Sequence, residues 1–489
     1  MSEYRLLSTL DPITLVEGVA RIVVIASSDG RDVRALYQIM EFRGFEKLSV
    51  GRHVEDMPRI VSTICGFCSW SHHLVSGKAV DAIVGRKPPV RAELTRMLVN
   101  YIQILDSHLL HFGFIGLPDL TLWGESQRDI TRLLARNPEI ASIALKTRSI
   151  LRKAEKKLVG KIQHGPVVVP GGVARGLTRD DLEELDKALV EINSAVDALH
   201  RFFDEKIVKS ELFKKLLESE EFTMRCYSMG LAKNGALEHY DGVLRVVDSK
   251  GRIIHEITSP ALYTDILGEA LVSWNNATLP YYKPAGFKLP SEESTIMVGP
   301  LARLNVAERV PGERASDEYR RLVEMAGGKP LSNVVLYHWA RLVEIIHSVE
   351  MLTELMRDPR LLEGETVNFT GKFESRGVGV IEAPRGVLIH DYSVDENAVV
   401  TRARIITPTT INNTAINTNL SKASTRLVEE IRSTGRPSSS TISLLESVVR
   451  AYDPCNSCAT HCIRVGDKEI TTSFSIVVLS DRGEVLWRG

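Results

Sequence analysis

Two Cys-x-x-Cys pairs stand near opposite ends of this chain, Cys65-Gly66-Phe67-Cys68 and Cys455-Asn456-Ser457-Cys458, 390 positions apart. A fold that unites them must close almost the whole chain into one loop. Each pair has a histidine close by, in Cys68-x-x-x-His72 and Cys458-x-x-His461. Four thiolates brought together are enough to hold a soft transition metal. A structural zinc site uses the same ligand set, although zinc modules usually keep their pairs within a few tens of residues. A dithiol redox site needs one pair and leaves the other unexplained. Four unrelated buried cysteines do not account for the repeated spacing.

With 489 residues the chain is long enough for two or three lobes. Hydrophobic residues at 44% and charged residues at 25% fit a folded soluble protein. Lys+Arg (61) balances Asp+Glu (62), so nothing global favours nucleic acid or an anionic membrane. No apolar run reaches the length of a membrane span, and Met1-Ser2-Glu3-Tyr4-Arg5 lacks a signal-peptide core, so the expected location is cytoplasmic. There, six cysteines read as ligands or free thiols rather than disulfides. Cys226 and Cys462 fall outside the pairs, and Cys226 reads as a small buried hydrophobe.

Residues 12–46 read as a strand hairpin turning at Ser27-Ser28-Asp29-Gly30. Leu94, Leu98, Tyr101, Ile102, Leu105, Leu109 and Phe112 form one face of a helix over 91–115. Helical patterns also cover 126–160, 179–215, 335–357 and about 439–452, the last running directly into Asp453-Pro454-Cys455. Residues 240–257 and 368–406 are β-rich, and Ile470 to Trp487 is strand-like around Asp481-Arg482-Gly483. The fold class expected is α+β: a central bundle of long helices with small peripheral antiparallel sheets. Residues 1–461 form one integrated, multi-lobed body, followed by an extension over 462–489.

The sequence around the cysteines narrows the choice. Ile64 to His73 and Asp453 to His461 resemble the two signature motifs of the nickel–iron hydrogenase large subunit, and the likeness extends further. Glu41-Phe42-Arg43-Gly44-Phe45-Glu46, Asp106-Ser107-His108, His164-Gly165-Pro166 through Gly172, Glu382-Ala383-Pro384-Arg385-Gly386 and Pro408-Thr409-Thr410-Ile411-Asn412 resemble further family segments, in order. The details lean toward the cytosolic, cofactor-coupled group.

The resemblance implies that Cys65, Cys68, Cys455 and Cys458 hold nickel, with Cys68 and Cys458 bridging to an iron that carries carbon monoxide and cyanide. It implies that His72 hydrogen-bonds a bridging sulfur, and that Arg385 stands over the open metal face, oriented by Asp106 and Asp453. Glu17 becomes the proton relay, taking a proton from the Cys455 sulfur. Glu46, His461 and the Ile405 carbonyl become ligands of magnesium. The implied reaction is reversible cleavage of hydrogen into two protons and two electrons. The implied partner is an Fe–S small subunit, with room for a further electron-transfer module beyond it. A maturation protease that cuts after His461, and metal chaperones, are implied as well.

Three positions depart from the family pattern. Leu15 and Val19 flank Glu17 where the family has arginine and histidine, and Thr63 replaces an arginine before Ile64-Cys65. Positive charge is thereby lost near the thiolates. The departures give some weight to a metal-free alternative, a structural and electron-transfer subunit like the quinone-side subunit of respiratory complex I. The four retained cysteines argue against it.

Overall fold

The computed structural model describes residues 4–10, 13–125, 127–461, 477–479 and 485–488. It is α+β, with long helices at the centre and small sheets around them. Helix Leu336–Met356 lies deepest and is buried through most of its length. Helix Val90–His111 packs along it, and Pro138–Val159 and Arg179–Phe202 lie outside.

The first helical stretch beyond 126 divides into Ile130–Arg136 and Pro138–Val159. Pro138 has no N–H to continue a helix but suits a first turn. The second stretch, 179–215, runs as Arg179–Phe202, a π-helical Phe203–Val208 and a new helix Glu211–Glu218 capped by Ser210.

Strands Tyr4–Leu10, Ala20–Ser27 and Val33–Ile39 form an antiparallel sheet, which adds one strand to the expected hairpin. Tyr227–Lys233, Val243–Val247 and Ile253–Ile257 form another, with one departure from antiparallel pairing where Ile296–Met297 joins parallel to Tyr227–Ser228. The β-rich 368–406 region becomes Arg376–Ala383, Gly386–Val394 and Val400–Ile406. The tail strands Val477–Leu479 and Val485–Arg488 pair with each other; their expected turn, Cys462 and most of the extension lie outside the described residues.

Two packing arrangements position the site. Helix Ser69–Val84, which follows the first cysteine pair, lies on strand Arg376–Ala383. Gly379 permits that approach, because a Cβ there would stand 2.1 Å from the Val75 carbonyl oxygen. Helix Pro408–Thr434 packs on strand Val33–Ile39, where Asn417 Oδ1 accepts from the Tyr37 N–H at 2.8 Å and Ser421 Oγ from the Ala35 N–H at 3.0 Å. Among the described residues, no helix is long and apolar enough to cross a membrane.

Candidate metal centre

Cys65 and Cys68 lie in the turn entering helix Ser69–Val84, and Cys455 and Cys458 in the turn leaving helix Ser439–Ala451. The four buried sulfurs all lie within 4.8 Å of one another. Cys65 Sγ is 3.3 Å from Cys455 Sγ, Cys68 Sγ is 3.2 Å from Cys458 Sγ, and all four thiols are free. Thiolates at about 2.3 Å from a shared metal stand roughly 3.7 Å apart, so sulfurs that all lie within 4.8 Å of one another are close enough to share one. Among the described residues, no other group of Cys, His, Asp or Glu gathers this closely.

The cluster is anchored from both chain ends. The Cys455 N–H donates to Thr409 Oγ1 at 2.9 Å, at the start of helix Pro408–Thr434. Glu17 forms a parallel β-bridge with Cys455, and its carbonyl accepts from the Asn456 N–H at 2.9 Å. The Cys455 thiol lies 3.0 Å from Glu17 Oε2, which also accepts from the Ser457 N–H at 3.1 Å; Ser457 Oγ donates to Glu17 Oε1 at 2.6 Å. Burial pushes the Glu17 carboxyl above its ordinary value, and negative charge on Cys65 adds to this. Cys65 itself sits well below the usual thiol range, because neighbouring thiols donate to it and Arg385 favours its anion. Burial drives Cys455 and Cys458 the other way; thiol neighbours add to it at Cys455, whereas at Cys458 the Cys455 thiol works against it.

Arg385 is bonded to Asp453. Its Nε donates to the Asp453 carbonyl at 2.7 Å and its Nη2 to Asp453 Oδ1 at 3.2 Å. Asp453 takes φ +53, a left-handed conformation that aspartate tolerates better than most residues. Arg385 Nη1 is buried with no hydrogen-bond partner among the described residues. Arg385 lines a small pocket of about 10 Å³ together with Cys68, Cys455, Cys458, His72 and Thr409. Buried Arg303 supports this turn, donating to the Ala383 and Pro384 carbonyls at 2.9 and 3.0 Å while pairing with Glu382 and Glu344.

Asp106 is a correction. It does not orient Arg385; its carboxylate is taken by Arg152 at 2.7 Å and by Arg148 at 3.1 Å. It lies near the end of helix Val90–His111, across from Pro138–Val159, so the arginines of that second helix reach it. His72 Nδ1 is 3.1 Å from His390 Nε2, and His390 and the Tyr392 hydroxyl carry the chain of bonds on to Ser76. Burial lowers His72 to about 4, which keeps it neutral.

Glu46, Ile405 and His461 come together. Glu46 Oε1 accepts from the Ile405 N–H at 2.8 Å, and the Glu46 N–H donates to the His461 carbonyl at 3.3 Å. Both His461 ring nitrogens are buried without a partner among the described residues, and burial holds the ring well below its usual pKa. A neutral imidazole with free nitrogens fits a cation ligand.

The departing positions have neighbours that the sequence did not reveal. Arg43 Nη2 donates to the Thr63 and Ile64 carbonyls at 3.4 and 3.1 Å, returning a cation to the approach to Cys65. Leu15 lines an apolar cavity of about 410 Å³ with Val16, Phe67, Leu110, Phe114 and Ile115, onto which Glu17, Arg148, Arg385 and Asp453 also open.

Comparison with known proteins agrees with this geometry. A family model described as nickel-dependent hydrogenase matches residues 43–121 and 142–461. One subunit of the F420-non-reducing hydrogenase of Methanothermobacter marburgensis is 34% identical over 93% of this chain and 94% of its own length. The beta subunit of the NAD-reducing hydrogenase HoxS of Cupriavidus necator is 31% identical over 93% and 94%. A crystal structure of an NAD+-reducing [NiFe]-hydrogenase in the H2-reduced state superposes with a TM-score of 0.84 at 34% identity, covering 94% of this chain and all of that one.

Proposed function

The chain belongs to the nickel-dependent hydrogenase family, and from that premise we infer that it is the catalytic large subunit of a nickel–iron hydrogenase, an oxidoreductase that cleaves H2 into protons and electrons. The observation that carries this reading is the single buried cluster of four sulfurs beside a carboxylate and a guanidinium. A zinc staple needs neither neighbour, and a metal-free scaffold has no use for the thiols.

Cys65, Cys68, Cys455 and Cys458 would hold nickel and iron, the iron completed by carbon monoxide and cyanide. When bound, the pair of metals supplies the two-electron chemistry of hydrogen. The protein's part is to move the proton. Glu17 stands 3.0 Å from the Cys455 sulfur, within transfer distance. Its raised pKa makes it a stronger proton acceptor than an exposed carboxylate. Ser457 fixes both carboxylate oxygens, and the half-buried Glu17 leads outward to the 410 Å³ cavity. Arg385, fixed by Asp453, presents a permanent cation to the sulfur pocket, where a preorganised charge stabilises developing negative charge without reorganising. His72 lines the same pocket. The free His461 nitrogens, Glu46 and the Ile405 carbonyl support a magnesium site tying the first motif to the last.

Electrons must leave through another protein, because no second metal-binding cluster exists among the described residues. An Fe–S small subunit is the partner proposed. Exposed Val19, Met40 and Phe42, next to the Glu17 segment, give it an apolar face to cover. The name of one relative, a NAD-reducing hydrogenase, supports a cofactor-coupled enzyme, and a cytoplasmic location is proposed with it. Proteolysis after His461, following metal loading by chaperones, would remove the extension; a mass ending at Gly489 in active enzyme would exclude it.

Metal analysis with infrared spectroscopy of the purified complex tests the whole reading. Nickel together with cyanide and carbonyl bands is expected; zinc alone, or no metal, overturns it. Glu17→Gln tests the relay. It is expected to abolish hydrogen–deuterium exchange while nickel content stays constant, and an undiminished exchange rate would remove Glu17 from the proton path.

A further inference from the structure

The segment carrying Glu17 is held from behind by a buried ion network that takes no part in the chemistry above. Arg450, in the last turn of helix Ser439–Ala451, donates Nε–H to the Thr14 carbonyl at 2.9 Å and Nη2–H to Thr14 Oγ1 at 3.0 Å. Its Nη1 binds Asp119 at 2.7 Å, and Asp119 is also bound by Arg128 at 3.1 Å. Glu446 closes the group, in contact with Arg128 and 3.4 Å from Arg450. The Arg450 carbonyl accepts from His111 Nε2 at 2.8 Å. The Arg450 side chain is 1% exposed, so it has no room to release Thr14 and find water instead.

Between Thr14 and Glu17 the backbone is strained. Leu15 takes φ +58, the left-handed region that leucine avoids. Such a conformation persists only where its surroundings over-determine it. Here there are anchors on both sides. Arg450 grips Thr14 before the strained residue. After it, the Asn456 N–H holds the Glu17 carbonyl, and Gly18, at φ +75, lies so close to Glu41 and Asn456 that a Cβ would meet them at 2.6 and 3.0 Å. The Val19 N–H then donates to Glu41 Oε1 at 3.2 Å.

We propose that Arg450 is a positioning residue for Glu17: by fixing Thr14 it forces the Leu15 turn that delivers the Glu17 carboxylate to the Cys455 sulfur. The helix end that bears Arg450 runs directly into Cys455. One rigid unit therefore sets both ends of the 3.0 Å donor–acceptor distance. The inference rests on the proton-relay reading of Glu17, and its test separates the two.

Two variants are made in the full, metal-loaded complex. Thr14→Val removes the hydroxyl acceptor at an exposed position, and Arg450→Lys keeps a cation beside Asp119 but cannot reach Thr14 through two nitrogens. Both are expected to raise backbone amide exchange in the peptide spanning 13–20, with helix Leu336–Met356 and nickel content unchanged. Turnover is expected to fall about 5- to 50-fold, since small misplacements at a reacting centre have effects of this order. In a Glu17→Gln background, Thr14→Val should lower residual exchange no further. Unchanged amide exchange over 13–20 in both variants overturns the clamp. Raised amide exchange with full turnover overturns its role in the reaction. Full turnover in Glu17→Gln overturns the relay reading itself, and the amide result then shows separately whether Arg450 orders the segment.

Discussion

Arg385 has more to do than carry charge. Two of its nitrogens are committed to Asp453, and Nη1 remains without a partner among the described residues. Lysine could supply the cation but not a rigid fork that binds Asp453 and presents a further donor at once. Arg385→Lys is therefore expected to retain nickel and to lose about 10²- to 10³-fold in hydrogen uptake with an artificial electron acceptor, the range seen when a preorganised donor is lost. Uptake within a few-fold of the unaltered enzyme would show that charge alone suffices. At this scale the sequence was legible where proximity is carried by a residue's own motif: the four cysteines gather in one cluster, and Glu17 lies beside Cys455 and Arg385 beside Asp453. It was illegible where a role depends on a contact across the fold. Thr409 receives the Cys455 N–H, and Arg43 reaches the carbonyl next to Cys65, for reasons no local pattern encodes. Ser457 had a usable signal, since it lies inside the second cysteine pair and its hydroxyl had to bond something nearby. Asp106 failed for the opposite reason: its motif was present, but two arginines on a neighbouring helix captured it.

At the scale of elements, the helix over Pro408–Thr434 escaped the sequence reading although it is 27 residues long. Its first half is Thr-Thr-Ile-Asn-Asn-Thr-Ala-Ile-Asn-Thr-Asn, residues of poor helix propensity whose side chains compete for backbone bonds. Tertiary packing overrides that preference: the asparagines and threonines are buried and bond across the fold, Asn417 to strand Val33–Ile39, Asn412 to the Val298 backbone and Thr414 to the Pro280 carbonyl. The Leu-rich helices, by contrast, announce themselves by period. The pairing of helix Ser69–Val84 with strand Arg376–Ala383 depends equally on contacts, here on missing side chains. Gly379→Ala would drive a methyl into the Val75 carbonyl and the Ala79 nitrogen, with backbone on both sides unable to yield cheaply. A loss of about 2–3 kcal/mol is expected from such overpacking, read as a lower denaturant midpoint. Nickel retention should fall with it, because the displaced helix begins immediately after Cys68. A variant that keeps both stability and nickel would show that the helix–strand spacing does not govern the site.

The molecule buries many titratable groups, and their balance sets its response to acid. Among histidines that are not proposed ligands, burial holds His73 and His108 at about 4, His338 and His347 at about 3, and His111 well below its ordinary value. Each is neutral in the folded protein but titrates near 6.5 once unfolded. As pH falls below 6.5 the unfolded chain takes up protons that the folded one refuses, so stability declines down to about 4. Buried carboxyls oppose this trend. Burial raises Glu155 to about 8, Glu382 to about 7 and Asp81 above its usual value, so the folded state holds protons there that the unfolded state releases above about 4.5. With His72 and His390 added on one side and Glu17 and Asp453 on the other, seven histidines outweigh five carboxyls among the described residues, and Glu344, held well below its usual value against the pull of burial by Arg303, adds to the loss at the acid end. Net proton uptake on unfolding is thus expected between pH 6.5 and 4, with the thermal midpoint dropping steadily through that window. The expected slope is on the order of 1.4 kcal/mol per pH unit for each net proton. Replacing His347, which stacks on His239 and touches the Pro311 carbonyl, with glutamine should flatten the slope by about one proton. A midpoint constant from pH 6.5 to 4.5, or a slope that the substitution leaves untouched, would mean that the interior histidines are already charged and that the polar core is held together by ion pairing rather than by neutral rings.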